Sequence, residues 1–177
     1  KAYRKDGRIN MKYAGIIYDD TAAAPGLSLS LYTQGCPFKC EGCHNADLWD
    51  FDGGKEYDFA VIDRIIHKLN NNGVLRNFCI LGGEPLIEDN LEMLLVTCIS
   101  AKNAYPELKI YLWTGYTFDE LTEIAEQNES LLMLISYLDC LITGRYEKDK
   151  RNITLKMRGS SNQEIWEKAE GLGYWIK

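Results

Sequence analysis

Hydrophobic and polar positions change period repeatedly along the chain, and each change marks an element. Leu27, Leu29 and Leu31 alternate with Ser28, Ser30 and Tyr32, the two-residue repeat of a strand, and Met11 to Tyr18 carries a weaker strand pattern ahead of it. From Tyr57 the repeat lengthens. Phe59, Ile62, Ile65, Ile66 and Leu69 fall on one helical face, which Asn70 to Gly73 terminates. A short strand is predicted over Asn77 to Leu81, then a helix near Asn90 to Lys102 that turns Leu91, Leu94, Leu95, Cys98 and Ile99 inward. Leu108 to Trp113 is a further strand. Thr117, followed three residues on by Glu120, makes a capping box that opens a helix carrying Leu121 and Ile124, and Leu138 to Thr143 is the fourth clear strand.

Four strands, each followed by a helix or a long loop, imply βα units with right-handed crossovers and a parallel sheet. A chain of 177 residues falls short of the ~250 typical of a closed eight-fold barrel, so the expected fold is α/β, a partial (open) β/α barrel with a mainly parallel sheet. No repeat, low-complexity tract or Pro/Gly linker divides it. Residues 11–177 are expected to form a single domain. Lys1 to Asn10 are polar and aperiodic and are set aside as a remnant or an upstream extension, and Ile153 to Lys177 has no clear pattern.

A composition of 46% hydrophobic and 26% charged residues is that of an ordinary globular domain, which excludes a disordered tail, a collagenous repeat and a small disulfide scaffold. The net charge of -6 argues against nucleic acid as a partner, because phosphate contacts need a surplus of Lys and Arg on one face. The longest apolar runs, such as Leu131 to Ile135, are far short of the ~20 residues that span a bilayer, and no signal pattern opens the chain. A cytoplasmic location without membrane contact is expected. In that reducing compartment six cysteines are not read as three disulfides. Cys79, Cys98 and Cys140 stand among apolar neighbours and read as small core hydrophobes.

Cys36, Cys40 and Cys43 differ: they share a polar, glycine-containing loop after the first clear strand. Ligands in parallel α/β folds bind outside the carboxyl ends of the strands. The loop at Gln34 to Asn45, Gly82-Gly83-Glu84-Pro85, Thr114-Gly115-Tyr116 and Gly144-Arg145-Tyr146 are expected to converge there. Three thiolates at this spacing can wrap one small metal centre. A structural zinc asks for four ligands, but His44 directly follows Cys43 and His67 lies on a predicted helix, so a zinc-binding interaction module is the weaker reading.

In a four-iron cube three cysteines leave one iron open. A ligand with an amine and a carboxylate, such as S-adenosylmethionine, can chelate that iron, and one electron into its sulfonium would release methionine and a 5′-deoxyadenosyl radical. Glycines let a backbone approach such a ligand, and Glu84 or a neighbouring carbonyl can take an ammonium proton. The Thr114 hydroxyl can hydrogen-bond the ligand, while Trp113 to Tyr116 either line an adenosine pocket or pack in the core.

Cys36-x3-Cys40-x2-Cys43 resembles the signature of the radical S-adenosylmethionine superfamily, and Gly82-Gly83-Glu84-Pro85 resembles its glycine-glycine-glutamate segment, which contacts the methionine amino group. A narrower resemblance rests on Gly42-Cys43-His44-Asn45 with Trp49, on Leu112 to Tyr116, and on Arg158-Gly159-Ser160-Ser161-Asn162-Gln163. These are similar to the activating enzymes of anaerobic (class III) ribonucleoside-triphosphate reductases, from about Met11 to Gln163.

That resemblance implies a [4Fe-4S] cluster on Cys36, Cys40 and Cys43, with S-adenosylmethionine contacts at Gly42, Cys43, His44, Gly82, Gly83 and Glu84. It also implies a glycyl radical formed on the large reductase subunit, with a low-potential electron donor as second partner. A small radical enzyme acting on a metabolite, such as a deazaguanine-forming synthase, is the alternative within the superfamily. The chain departs from the family pattern where Glu84 replaces an Asp, where Thr143-Gly144 replaces Asp-Gly, and where Pro25-Gly26 lacks a following Arg. Between Arg145 and Arg158 six basic residues face Glu147 and Asp149, a net of +4, which is read as a solvated loop or a dock for an acidic surface of the reductase. No P-loop, dinucleotide fingerprint or nucleophile–base pair is present.

Overall fold

The computed structural model describes residues 11–169 and 174–177, so the segment Lys1 to Asn10, expected to be a remnant or extension, lies outside the described residues. Strand β1 (Lys12–Asp20) pairs antiparallel with β2 (Ser28–Thr33) and, on its other side, with the short β3 (Lys55–Glu56). Helix α1 (Phe59–Leu69) starts where the Asp58 side chain accepts the Val61 N–H at 2.9 Å. A small hairpin of β4 (Asn70–Asn71) and β5 (Val74–Leu75) follows it. The chain continues through β6 (Asn77–Gly82), α2 (Glu88–Ala104), β7 (Ile110–Trp113), α3 (Phe118–Ala125), α4 (Glu129–Tyr137) and β8 (Cys140–Thr143). It returns as β9 (Glu164–Lys168) and β10 (Trp175–Ile176).

The main sheet has the order β10-β9-β8-β7-β6-β2-β1-β3. Its centre, β2, β6, β7 and β8, is parallel, as the βα pattern predicts. Its flanks are antiparallel: β1 with β2 and β3 at one side, β9 with β8 and β10 at the other. The expected α/β class with an open sheet and a parallel centre is borne out, while the flanks make the sheet more mixed than the expected mainly parallel one. The sheet is mixed and unclosed, with β3 and β10 as its edges, and no barrel is confirmed. The physical reason lies in the connections. β1 reaches β2 through a short turn rather than a crossover helix, and the tail after β8 adds strands that run back.

Each crossover places its helix on the same side, because successive parallel strands are neighbours and the crossovers share one hand. Leu29, Leu31, Phe78, Ile80, Ile110 and Leu112 therefore meet Ile65 and Leu69 of α1, Leu94 and Cys98 of α2, Leu121 of α3 and Leu134 of α4 in one core. A fully buried Leu, Ile or Phe is worth roughly 1.5–3 kcal/mol, so this face supplies most of the stability. The alternate residues, among them Ser30, Cys79, Tyr111 and Trp113, point to the other face. Cys79, Cys98 and Cys140 are buried, and burial lifts their thiols to about 11, 12 and 12, keeping them inert. No helix among the described residues is long and apolar enough to cross a membrane.

Candidate functional site

At the carboxyl end of the parallel strands two loops are joined before any side chain is considered. The β2–β6 ladder extends past the strands: the Gly83 N–H donates to the Thr33 carbonyl and the Glu84 N–H to the Gly35 carbonyl, both at 2.8 Å. Gly35 precedes Cys36. The Gly-Gly-Glu segment and the start of the cysteine loop are thus one backbone unit. Gly83 is required for it, since a Cβ there would stand 2.3 Å from the Gly35 oxygen. Further along, the Asn45 side-chain amide donates to the Gly82 carbonyl at 3.3 Å and closes the loop onto the same segment.

Cys36, Cys40 and Cys43 are each partly buried and free. Burial pushes the Cys36 thiol up from its ordinary value, and the backbone N–H groups of Phe38 and Lys39 oppose this by donating toward its sulfur. Cys40 is raised for the same reason, with the Tyr146 backbone N–H opposing. The Cys43 sulfur accepts the Asn45 N–H at 3.4 Å. The backbone N–H bonded to the Cys43 sulfur suits a thiolate that carries charge, and such bonds tune the potential of an iron–sulfur centre.

A single tetrahedral ion would need its thiolates about 2.3 Å from one common point. Among the described residues no three His, Cys, Asp or Glu side chains are grouped in that way. A cubane makes a looser demand, because each iron takes one thiolate.

All three cysteines border one cavity of about 610 Å³, and so do Gly42, His44, Gly82, Gly83, Glu84 and Thr114. His44 is exposed at its edge. Trp113 is only partly buried, so it does not end in the core. Its Nε1 donates to the Met157 carbonyl at 2.7 Å and its ring borders the cavity.

Glu84 is 1% exposed, and its carboxylate is already engaged. Oε1 accepts from the Thr114 hydroxyl at 2.7 Å and the Leu86 N–H at 2.9 Å, and Oε2 accepts from the Gly115 N–H at 2.7 Å. Burial raises its pKa to about 7 in spite of those three donors. The side chain ties the end of β6 to the end of β7.

The sequence did not reveal how the cysteine loop is held from outside. The Phe38 ring lies so close to Gly115 that a Cβ there would come within 2.3 Å of it. Phe38 meets Tyr116 edge-on at 4.9 Å, and the Arg145 guanidinium stacks over it at 4.4 Å. Arg145 is held in turn by Glu120 at 3.0 Å, the residue that completes the capping box of α3. An aromatic between two metal-ligand candidates was the only available sign of this. The same geometry accounts for part of the basic segment: Arg145, Lys148 and Lys150 pair with Glu120, Glu41 and Glu147.

Residues 22–166 match the family model described as a 4Fe-4S single cluster domain, which supports an iron–sulfur cluster. The chain is 32% identical to the anaerobic ribonucleoside-triphosphate reductase-activating protein of Enterobacteria phage T4, over 92% of this chain and 97% of that protein. It belongs to that activating-protein family. The Vibrio cholerae protein of the same name is 33% identical over 82% of this chain and 91% of its own length, and that of Escherichia coli K12 is 31% identical over 82% and 92%. The residues that match the family model include every residue that borders the cavity, from Cys36 to Gln163.

Proposed function

We propose that this chain is a radical S-adenosylmethionine activase that generates a glycyl radical on the large subunit of an anaerobic ribonucleotide reductase. The observation that carries the reading is the backbone unit of the cysteine loop and the Gly-Gly-Glu segment, joined by Glu84 N–H to the Gly35 carbonyl at 2.8 Å beside one cavity. Cys36, Cys40 and Cys43 would hold a [4Fe-4S] cluster. When bound, the cluster supplies the electron that cleaves S-adenosylmethionine to methionine and a 5′-deoxyadenosyl radical able to take hydrogen from a partner glycine.

The chain's own residues bind and orient. Gly82 and Gly83 let the end of β6 pack against the Thr33 and Gly35 backbone and so border the cavity, where Gly42, Cys43 and His44 would also offer backbone to the ligand. Glu84 acts through Thr114 and Gly115, whose positions it fixes. Trp113 offers a flat apolar wall for adenine.

Anaerobically reconstituted protein is expected to bind about four irons per chain and, with a low-potential reductant, to form methionine and 5′-deoxyadenosine. Deuterium placed on the reductase glycine should appear in the deoxyadenosine. Cys40→Ala should abolish iron binding and cleavage together, and a variant that retains cleavage overturns the ligand assignment.

A further inference from the structure

We infer that Arg158 is the residue that binds the carboxylate of the cavity's ligand, an inference that rests on the reading of that ligand as S-adenosylmethionine. The segment Arg158 to Gln163 is folded onto the loop after β8. Gln163 Oε1 accepts the Gly159 and Ser160 N–H groups at 2.9 and 3.1 Å, and its Nε2 donates to the Gly144 carbonyl at 3.0 Å. Asn162 donates to the Arg145 carbonyl at 2.9 Å, and Ser161 N–H to the Lys150 carbonyl at 2.9 Å. This clamp forms the cavity wall, and Arg158 borders both the main cavity and the smaller pocket that adjoins it.

Four cations border the main cavity: Arg145, Lys148, Arg151 and Arg158. The first two are paired with Glu120 and Glu41. Arg151 is exposed, whereas Arg158 is partly buried. The one carboxylate bordering the cavity, Glu84, is engaged by Thr114, Leu86 and Gly115. Arg158 is therefore a partly buried cation with no carboxylate partner among the described residues.

Its geometry is more telling than its charge. Nη1 donates to the Gln163 carbonyl at 2.9 Å, which fixes the plane of the guanidinium. Nε is buried without any hydrogen-bond partner. The engaged Nη1 leaves the edge formed by Nε and Nη2, two parallel donors whose spacing matches the two oxygens of a carboxylate. A buried orphan donor is costly, and native structures keep few of them. A ligand carboxylate would complete it.

The test is a thermodynamic cycle on anaerobically reconstituted protein, read by equilibrium dialysis. Wild type, Arg158→Met and Arg158→Lys are each titrated with S-adenosylmethionine and with its decarboxylated analogue. Arg158→Met should weaken S-adenosylmethionine by roughly tenfold to a hundredfold and the analogue by less than about twofold. Arg158→Lys, which keeps the charge but not the fork, should fall between, and it carries the comparison if the methionine variant does not fold. Equal losses for both ligands, or no loss for either, overturn the assignment while leaving the activase reading intact. A wild-type protein that binds neither ligand overturns both.

Discussion

The amino and carboxyl ends of the parallel strands use the same kinds of residue to opposite effect. At the amino end charges are neutralised locally. Arg76 reaches Asp19 at 2.5 Å and also donates to the Tyr18 and Val74 carbonyls, while Asp139 accepts from Lys102 and from the Ile110 N–H, each at 2.8 Å. At the carboxyl end polar groups are crowded or incomplete. Arg158 Nε and Thr143 Oγ1 are buried without partners, the Glu84 carboxyl is raised to about 7, and Gly83 leaves no room for a methyl. Ser28 Oγ at the start of β2 is also unpartnered, but the charged groups of the amino end are matched, whereas the rim leaves a guanidinium donor for a ligand to match.

The largest effect that would sharpen this contrast is expected from Gly83→Ala. The new methyl would press on the Gly35 backbone oxygen, which cannot rotate away, so the cysteine loop must shift. A displacement near 1 Å costs on the order of a hundredfold in a positioned reaction, against a stability loss of only about 1–3 kcal/mol for overpacking. Reductase activation assays and urea denaturation measure the two. Gly15→Ala on β1 is the control, because a Cβ there meets nothing within 4 Å and should leave activation unchanged. Equal activity in the two variants would remove the basis for treating the rim as sterically special.

How much of this was legible in the sequence depended on whether the signal was periodic or three-dimensional. The parallel centre of the sheet was readable, because Leu29 and Leu31, or Ile110 and Leu112, face a helix layer while their neighbours do not. The Thr117 and Glu120 capping box was readable because both of its bonds form within three residues. Helix α4 was not read. Leu131 to Ile135 is continuously apolar, yet only Leu131 and Leu134 are buried while Leu132 and Met133 are exposed, so the run hides its own period. Strands β9 and β10 were missed because neither fully buries a side chain, so no alternation shows: β9 is half-buried along most of its length and β10 is a two-residue edge. At the site, the converging loops could be read from strand ends. The engaged state of Glu84 and the stacking of Arg145 on Phe38 could not, since their partners lie 30 or more positions away.

A second, intermediate effect concerns Glu84. Its folded pKa of about 7 lies above the ordinary carboxylate value of 4.5, so the folded state holds the proton more tightly than the unfolded chain. Stability from this group is therefore fully present below about pH 4.5 and is lost as pH rises toward 7, with an upper bound of about 3 kcal/mol. Glu84→Gln should flatten that part of the pH profile of cluster-free protein, measured by denaturant midpoints between pH 4.5 and 7.5. An unchanged slope would mean that the carboxyl ionises freely and that the rim holds it no differently from a surface acid.

The smallest effect is expected at the other end. Asp139→Ala deprives Lys102 and the Ile110 N–H of their shared acceptor, and with these groups only partly shielded the cost is about 1–3 kcal/mol. Iron content and S-adenosylmethionine affinity should not move, because β7 and β8 remain paired from Tyr111 to Trp113 and the backbone unit at Gly35 and Glu84 lies at their far end. Iron stoichiometry measured beside the denaturation midpoint decides the matter. A variant that folds but loads less iron would show that the sheet transmits strain from its amino end to the cysteine loop. The two ends would then form one mechanical unit, with the ion pair at Asp139 helping to set the geometry of the rim.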